Sequence, residues 1–100
     1  MANTFEDFIQ GDTPVVVDFF AEWCNPCKRM QPILQEIKNT VGNSVTILKM
    51  DVDKNQYYAN KYSIQSIPTM IIFKNGKIVW RKTGLIKAID VIPQLALNVT

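Results

Sequence analysis

The side chains in this sequence with the clearest chemistry are Cys24 and Cys27, its only cysteines, with two residues between them. Histidine is absent, which removes Ser-His-Asp and Cys-His nucleophile pairs and every imidazole metal ligand. Three chemistries fit a Cys-x-x-Cys spacing. A structural zinc ion needs four ligands, and no second cysteine pair stands ready to complete the set, so no metal is expected. A purely structural disulfide would close a very short loop and restrict the unfolded chain little. A reversible dithiol/disulfide couple needs only the two sulfurs and surroundings that lower one thiol pKa, and it is the preferred reading.

Asp18 is the second residue whose type does not fit its neighbours. It interrupts the apolar run Val15-Val16-Val17-Asp18-Phe19-Phe20-Ala21, where a carboxylate is costly unless paired and its pKa should rise. One reading makes it a satisfied polar residue at a strand irregularity. The other makes it a proton acceptor behind the cysteine pair, able to turn Cys27 into a nucleophile. Lys49, inside a second apolar run, is the natural cation to sit near it. A lysine snorkelling from a strand to water accounts for Lys49 equally well.

The elements that must position these residues follow from composition and periodicity. With 100 residues, 47% hydrophobic and 20% charged, the chain should form one globular domain over residues 1–100. A net charge of +2 without any basic run longer than two residues gives no case for nucleic acid or an anionic membrane. No apolar stretch approaches the ~20 residues of a membrane span. The N-terminus lacks the basic start and apolar core of a signal peptide, which predicts a cytoplasmic protein.

Thr4 or Asn3 should cap a short helix carrying Phe5, Phe8 and Ile9. The run Val15 to Ala21 reads as a central strand covered on both faces. Met30, Ile33, Leu34, Ile37 and Val41 recur at helical spacing, so a helix is expected from Asn25 to Val41, bent at Pro32 and stopped by Gly42. Val45–Val52 predicts a second strand, Asn55–Tyr62 a short helix, and Met70–Phe73 a third strand. Asn75-Gly76 predicts a hairpin into a fourth strand over Lys77–Lys82. A last helix should start from a cap at Asp90, with Pro93 in its first turn. The expected topology is a three-layer α/β domain with the first three strands parallel and the fourth antiparallel.

That arrangement places Cys24 where the first buried strand ends and the long helix begins, the usual place for chemistry in an open α/β sheet. Unpaired N–H groups and the helix dipole favour a thiolate there. Cys27, one turn on and on the same side, should be the less exposed sulfur.

The segment Val15-Val16-Val17-Asp18-Phe19-Phe20-Ala21-Glu22-Trp23-Cys24-Asn25-Pro26-Cys27-Lys28 resembles the active-site segment of the thioredoxin family. So do Pro32-Ile33-Leu34, Lys49-Met50-Asp51-Val52-Asp53, and Tyr62-Ser63-Ile64-Gln65-Ser66-Ile67-Pro68-Thr69 followed by Phe73-Lys74-Asn75-Gly76. The resemblance covers nearly the whole chain. It implies the thioredoxin fold, a mixed sheet of about four strands flanked by helices. It also implies a monomeric protein-disulfide reductase without a bound cofactor. Cys24 would be its attacking thiolate, Cys27 its resolving thiol, and Asp18 and Lys49 its aids to proton transfer. A thioredoxin reductase, an NADPH-linked flavoprotein, would regenerate the dithiol. The resemblance further implies a cis Ile67–Pro68 bond facing the cysteines, and a flat apolar patch of Trp23, Pro26, Ile67, Pro68 and Gly84 for protein disulfide substrates.

Three departures accompany the resemblance. Asn25 stands where the family motif usually has Gly, Phe20 stands for a common Trp, and the strand that usually precedes the first helix has almost no residues. A binding module with an idle cysteine pair, or a disulfide oxidant or isomerase, are the rival readings. The uncharged Asn25-Pro26 dipeptide favours a reductase over the latter two.

Overall fold

The computed structural model describes residues 4–99. At its centre runs β1 (Val15–Phe20), whose VVVDFF sequence is buried along nearly its whole length. Strand β2 (Thr46–Asp51) lies on one side of it, β3 (Thr69–Lys74) on the other, and β4 (Lys77–Thr83) beyond β3, giving the order β2-β1-β3-β4. Helices α2 (Asn25–Val41) and α4 (Ala88–Asn98) cover one face, while α1 (Phe5–Ile9) and α3 (Gln56–Lys61) cover the other.

Alternation along β1 divides the two cores, because successive strand side chains point to opposite faces. Val16 packs with Met30, Ile37, Val91 and Leu95 under α2 and α4. Val15, Val17 and Phe19 pack with Ile9, Ile71 and Phe73, against which Phe5, Tyr58 and Tyr62 close the α1/α3 side. Thr4 caps α1 through a reciprocal bond with Asp7; Asn3, the other candidate cap, lies outside the described residues.

Two expectations are corrected. First, β1 pairs with β2 in parallel, but β3 runs antiparallel to β1. The connection between β2 and β3 holds only the six-residue α3. At ~1.5 Å per residue this helix is about half as long as a six-residue strand at ~3.3 Å per residue. The chain does not return to the start of the sheet, and β3 begins at the end where β1 and β2 finish. Second, α4 starts after Lys87 rather than at Asp90, so Pro93 lies within the helix. Ile86 and Val91, both buried in one cluster, stand at the positions of a hydrophobic staple and fix that start. The carbonyl left without a partner by Pro93 belongs to Ile89, whose side chain is exposed, so water can satisfy it.

The hairpin forms as expected. Asn75 and Gly76 have φ of 53° and 78°, both left-handed, as a tight turn matching the twist of β3 and β4 requires.

Candidate active site

Cys24 is the N-cap of α2. Its backbone is extended (φ −88°, ψ 110°), and its Sγ accepts the Cys27 N–H at 3.2 Å, where a Ser or Asp oxygen usually caps a helix. Pro26 follows in the first turn, where its missing N–H costs nothing. The two cysteines, with Cα atoms 5.3 Å apart, form a disulfide. When that bond opens, the helix N-terminus stabilises an anion on Cys24 Sγ directly through the Cys27 N–H.

As whole residues the two cysteines are equally buried. Cys24 and Cys27 are each 4% exposed, because Ile67, Phe20 and Val52 pack against the cluster that both cysteines form with Ala21. What separates the two is direction. Cys24 Sγ lies 3.9 Å from the Ile67 carbonyl oxygen, whereas Cys27 lines a cleft of about 340 Å³ on the far side, with Phe20, Glu22, Lys28, Gln31 and Lys49.

On the Cys24 side, the Ile67–Pro68 peptide is cis. Pro68 is itself buried, so it contributes backbone rather than surface to the expected patch. Its carbonyl accepts the Gly84 N–H at 2.8 Å. Gly84 has φ +102° and open space around its missing Cβ, so glycine is needed there for conformation, not for room. Two residues on, the Ile86 N–H meets Met30 Sδ at 3.5 Å, fixing the loop after β4 onto α2. This convergence depends on the antiparallel β3. A third parallel strand would have carried Ile67 to the opposite end of the sheet. Trp23 and Pro26 are exposed at the rim, and the Trp23 indole N–H is held by Asp53 Oδ2 at 2.8 Å.

On the Cys27 side, Asp18 shares its sheet face with Val16 and Phe20, and it is 1% exposed. Neither of its oxygens has a hydrogen-bond partner in the protein. Burial raises its pKa from the ordinary 3.8 to about 6, against an opposing pull from the Lys49 charge. Lys49 is the register partner of Asp18 across the β1–β2 pair. Its ammonium sits 4.6 Å from the centroid of the Phe20 ring.

Of the sequence-expected residues, Ile67 lies at Cys24 Sγ with Pro68 tied to Gly84, Lys49 lines one cleft with Cys27, and Asp18 is placed beside Lys49 by the strand register. Sequence reasoning missed Asp53 as the anchor of Trp23, Met30 as an acceptor for the Gly84 loop, and Phe20 as the partner of the Lys49 ammonium. Only the last had a usable signal, an aromatic residue two positions after Asp18 on the same strand face.

A family model described as Thioredoxin matches residues 1–96. The chain is 42% identical over 94 residues to "Thioredoxin Y2, chloroplastic" of Arabidopsis thaliana, covering 93% of this chain and 56% of that protein. It therefore spans little more than half the length of that plant relative. It is also 42% identical over 101 residues to the "Bifunctional thioredoxin reductase/thioredoxin" of Mycobacterium leprae, covering 94% of this chain and 22% of that protein. Among solved structures, a mutant thioredoxin from Halobacterium salinarum superimposes with a TM-score of 0.83 at 27% identity, over 94% of this chain and 82% of the other. With the Trp23-Cys24-x-x-Cys27 motif at the head of α2 and a family match along almost its entire length, the chain belongs to the thioredoxin family.

Proposed function

We propose that this protein reduces disulfide bonds in other proteins through the Cys24–Cys27 couple. The observation that carries the reading is the Cys27 N–H bonded to Cys24 Sγ at the start of α2, which stabilises a thiolate on one named sulfur. Cys24 thiolate attacks a substrate disulfide, forming a mixed disulfide and releasing one substrate thiolate, which takes a proton. Asp18 then accepts the Cys27 proton, and the Cys27 thiolate attacks Cys24 Sγ. The second substrate thiolate leaves and is protonated. Two electrons pass to the substrate, and the Cys24–Cys27 disulfide remains.

The approach to Cys24 supports a protein substrate. Ile67 presents backbone beside the sulfur, where an extended chain can add its own hydrogen bonds. An NADPH-linked flavoprotein of the thioredoxin reductase class completes the cycle by returning two electrons. The fusion of reductase and thioredoxin in the Mycobacterium leprae relative supports that pairing.

Insulin reduction tests the function. With dithiothreitol, and separately with NADPH and a thioredoxin reductase, the protein should accelerate the precipitation of reduced insulin chains. A binding module with an idle pair leaves turbidity growth at the rate of dithiothreitol alone. An isomerase would instead reactivate scrambled ribonuclease faster than it reduces insulin.

A further inference from the structure

The registry of the sheet sets Lys49 directly beside Asp18 on adjacent parallel strands. On the α2 face, where Val16 and Ile47 join one core, Asp18 and Lys49 share a side two residues further along their strands. Lys49 is itself exposed, but its stem is long enough for the ammonium to reach a carboxylate on the neighbouring strand, and the buried side of that pair would favour the contact. Yet both Asp18 oxygens are without a hydrogen-bond partner in the protein. The ammonium lies instead over the face of Phe20, 4.6 Å from the ring centroid. Phe20 and Lys49 together line the cleft that also reaches Cys27.

We propose that Phe20 is a positioning residue for proton transfer, its ring face holding the Lys49 ammonium at the cleft and off Asp18, so that the carboxylate stays unpaired. A cation over an aromatic face is attracted by the ring quadrupole, by an amount that suffices at an exposed residue to bias where a flexible ammonium rests. Direct pairing of Lys49 with Asp18 would make the carboxylate a poorer acceptor for the Cys27 proton, since a nearby cation favours the ionised form. The ring therefore keeps the acceptor basic, while the lysine charge remains near enough to act through space. That consequence rests on the reductase reading. The placement of Lys49 does not.

Among the described residues, Lys49 is the cation that stands over the Phe20 ring. From α2, Lys28 and Gln31 stand at the cleft with Cys27. From the loop after β1, Glu22 is paired with Lys54 at 3.7 Å on the surface. The β3 partner of Asp18 is Met70, and Ile86, Val91 and Leu95 from the α4 side are apolar.

The test uses the oxidised protein, in which neither cysteine titrates, and follows the Asp18 carboxyl carbon by NMR from pH 3 to 9. Phe20→Leu should lower the Asp18 midpoint by about one unit as Lys49 moves onto the carboxylate. Lys49→Met should raise it, and Phe20→Leu should produce no drop in the Lys49→Met background. Phe20→Trp, which keeps a ring face, should leave the midpoint in place. A drop of equal size with and without Lys49 would mean that Phe20 only excludes water, and would overturn the proposal. So would an unchanged midpoint in Phe20→Leu. Should Phe20→Leu not fold, the unmodified protein decides. Its Lys49 ε-methylene protons should be shifted upfield by the ring, and random-coil positions for them would reject the placement. None of these readings requires insulin reduction, so failure of the reductase reading shows separately.

Discussion

The two sides of the disulfide are built from different materials. The Cys24 side is largely backbone: the Ile67 carbonyl at 3.9 Å, the Pro68 carbonyl bonded to the Gly84 N–H, and the N-terminus of α2. The Cys27 side is built from side chains: a lysine and an aromatic ring at a cleft, with a buried carboxylate next to the lysine in the strand register. Backbone groups offer the same hydrogen bonds whatever the residue beside them, so the Cys24 side suits partners of many sequences. Side chains set charge and proton affinity, so under the proposed reaction the Cys27 side would govern how fast it finishes. The proposed reaction would thus divide recognition and proton transfer between the two sulfurs.

Replacing the sulfurs themselves should break this division most completely. Cys24→Ser should abolish reaction with substrate, and Cys27→Ser should trap a mixed disulfide on Cys24. A small alkylating agent reacts with the thiolate form, so its preference reports which sulfur holds the anion. Labelling of the reduced protein at neutral pH, read by mass spectrometry, should modify Cys24 first. Labelling of Cys27 first would reverse the assignment of roles.

The next largest effect should come from Asp18→Asn. Loss of a general base commonly costs 10²–10⁴-fold, and here it should fall on resolution of the mixed disulfide, leaving the first attack by Cys24 nearly unchanged. Stopped-flow reduction of a protein disulfide, followed through Trp23 from pH 6 to 9, separates the two steps. The same variant should be more stable than the parent, in a pH-dependent way. The folded-state pKa of Asp18 is raised from 3.8 to about 6, so the native state holds the proton more tightly than the unfolded chain does. Stability from this group is therefore fully present below pH 3.8 and is lost as pH rises through about 6. The loss amounts to about 3 kcal/mol at most, from ~1.4 kcal/mol per unit. Urea unfolding of the oxidised forms should give similar stabilities at pH 3.5 and a clear advantage for Asp18→Asn at pH 7.5. An equal gap at both pH values would mean that the charge of Asp18 is not what burial penalises.

Much of this division was legible before the structure, and the reasons differ by side. Hydrophobic periodicity marked β1 and α2 because β1 is buried on both faces and α2 on one, so tertiary burial writes itself into residue type. Asp18 stood out for the same reason, as a charge where only apolar residues should pack. The Asn75-Gly76 turn was equally plain, since both residues adopt left-handed φ. The direction of β3 was not. It depends on how far α3 carries the chain between strands, and a short helix in a long connection looks the same in sequence whichever way the next strand runs. Contacts such as Trp23 with Asp53 leave no local trace, because each partner is an ordinary surface residue in its own segment.

A smaller effect is expected at the rim. Trp23→Phe keeps aromatic area and deletes only the indole N–H bonded to Asp53 at 2.8 Å. An exposed hydrogen bond of this kind contributes about 1 kcal/mol. The substitution should therefore change KM for insulin by roughly fivefold or less and leave kcat in place. A fall in kcat of tenfold or more would move Trp23 from the rim to the reacting sulfurs.

The smallest effect should follow Asn25→Gly, which restores the residue usual in the family motif and tests how far the Cys24 side depends on side chains at all. Asn25 is exposed at the first position of α2. The hydrogen bond to Cys24 Sγ comes from the Cys27 backbone, not from Asn25. Glycine adds freedom to the reduced and unfolded chain and costs more to order at a helix start. That penalty is present in both redox states, because the helix is needed in each, and so it largely cancels in the reduction potential. A shift within about 30 mV is expected against a glutathione buffer, equivalent to ~1.4 kcal/mol for a two-electron couple. A shift beyond ~60 mV would require the Asn25 side chain to bond a cysteine sulfur in the reduced protein. The Cys24 side would then share the dependence on side chains that marks the Cys27 side.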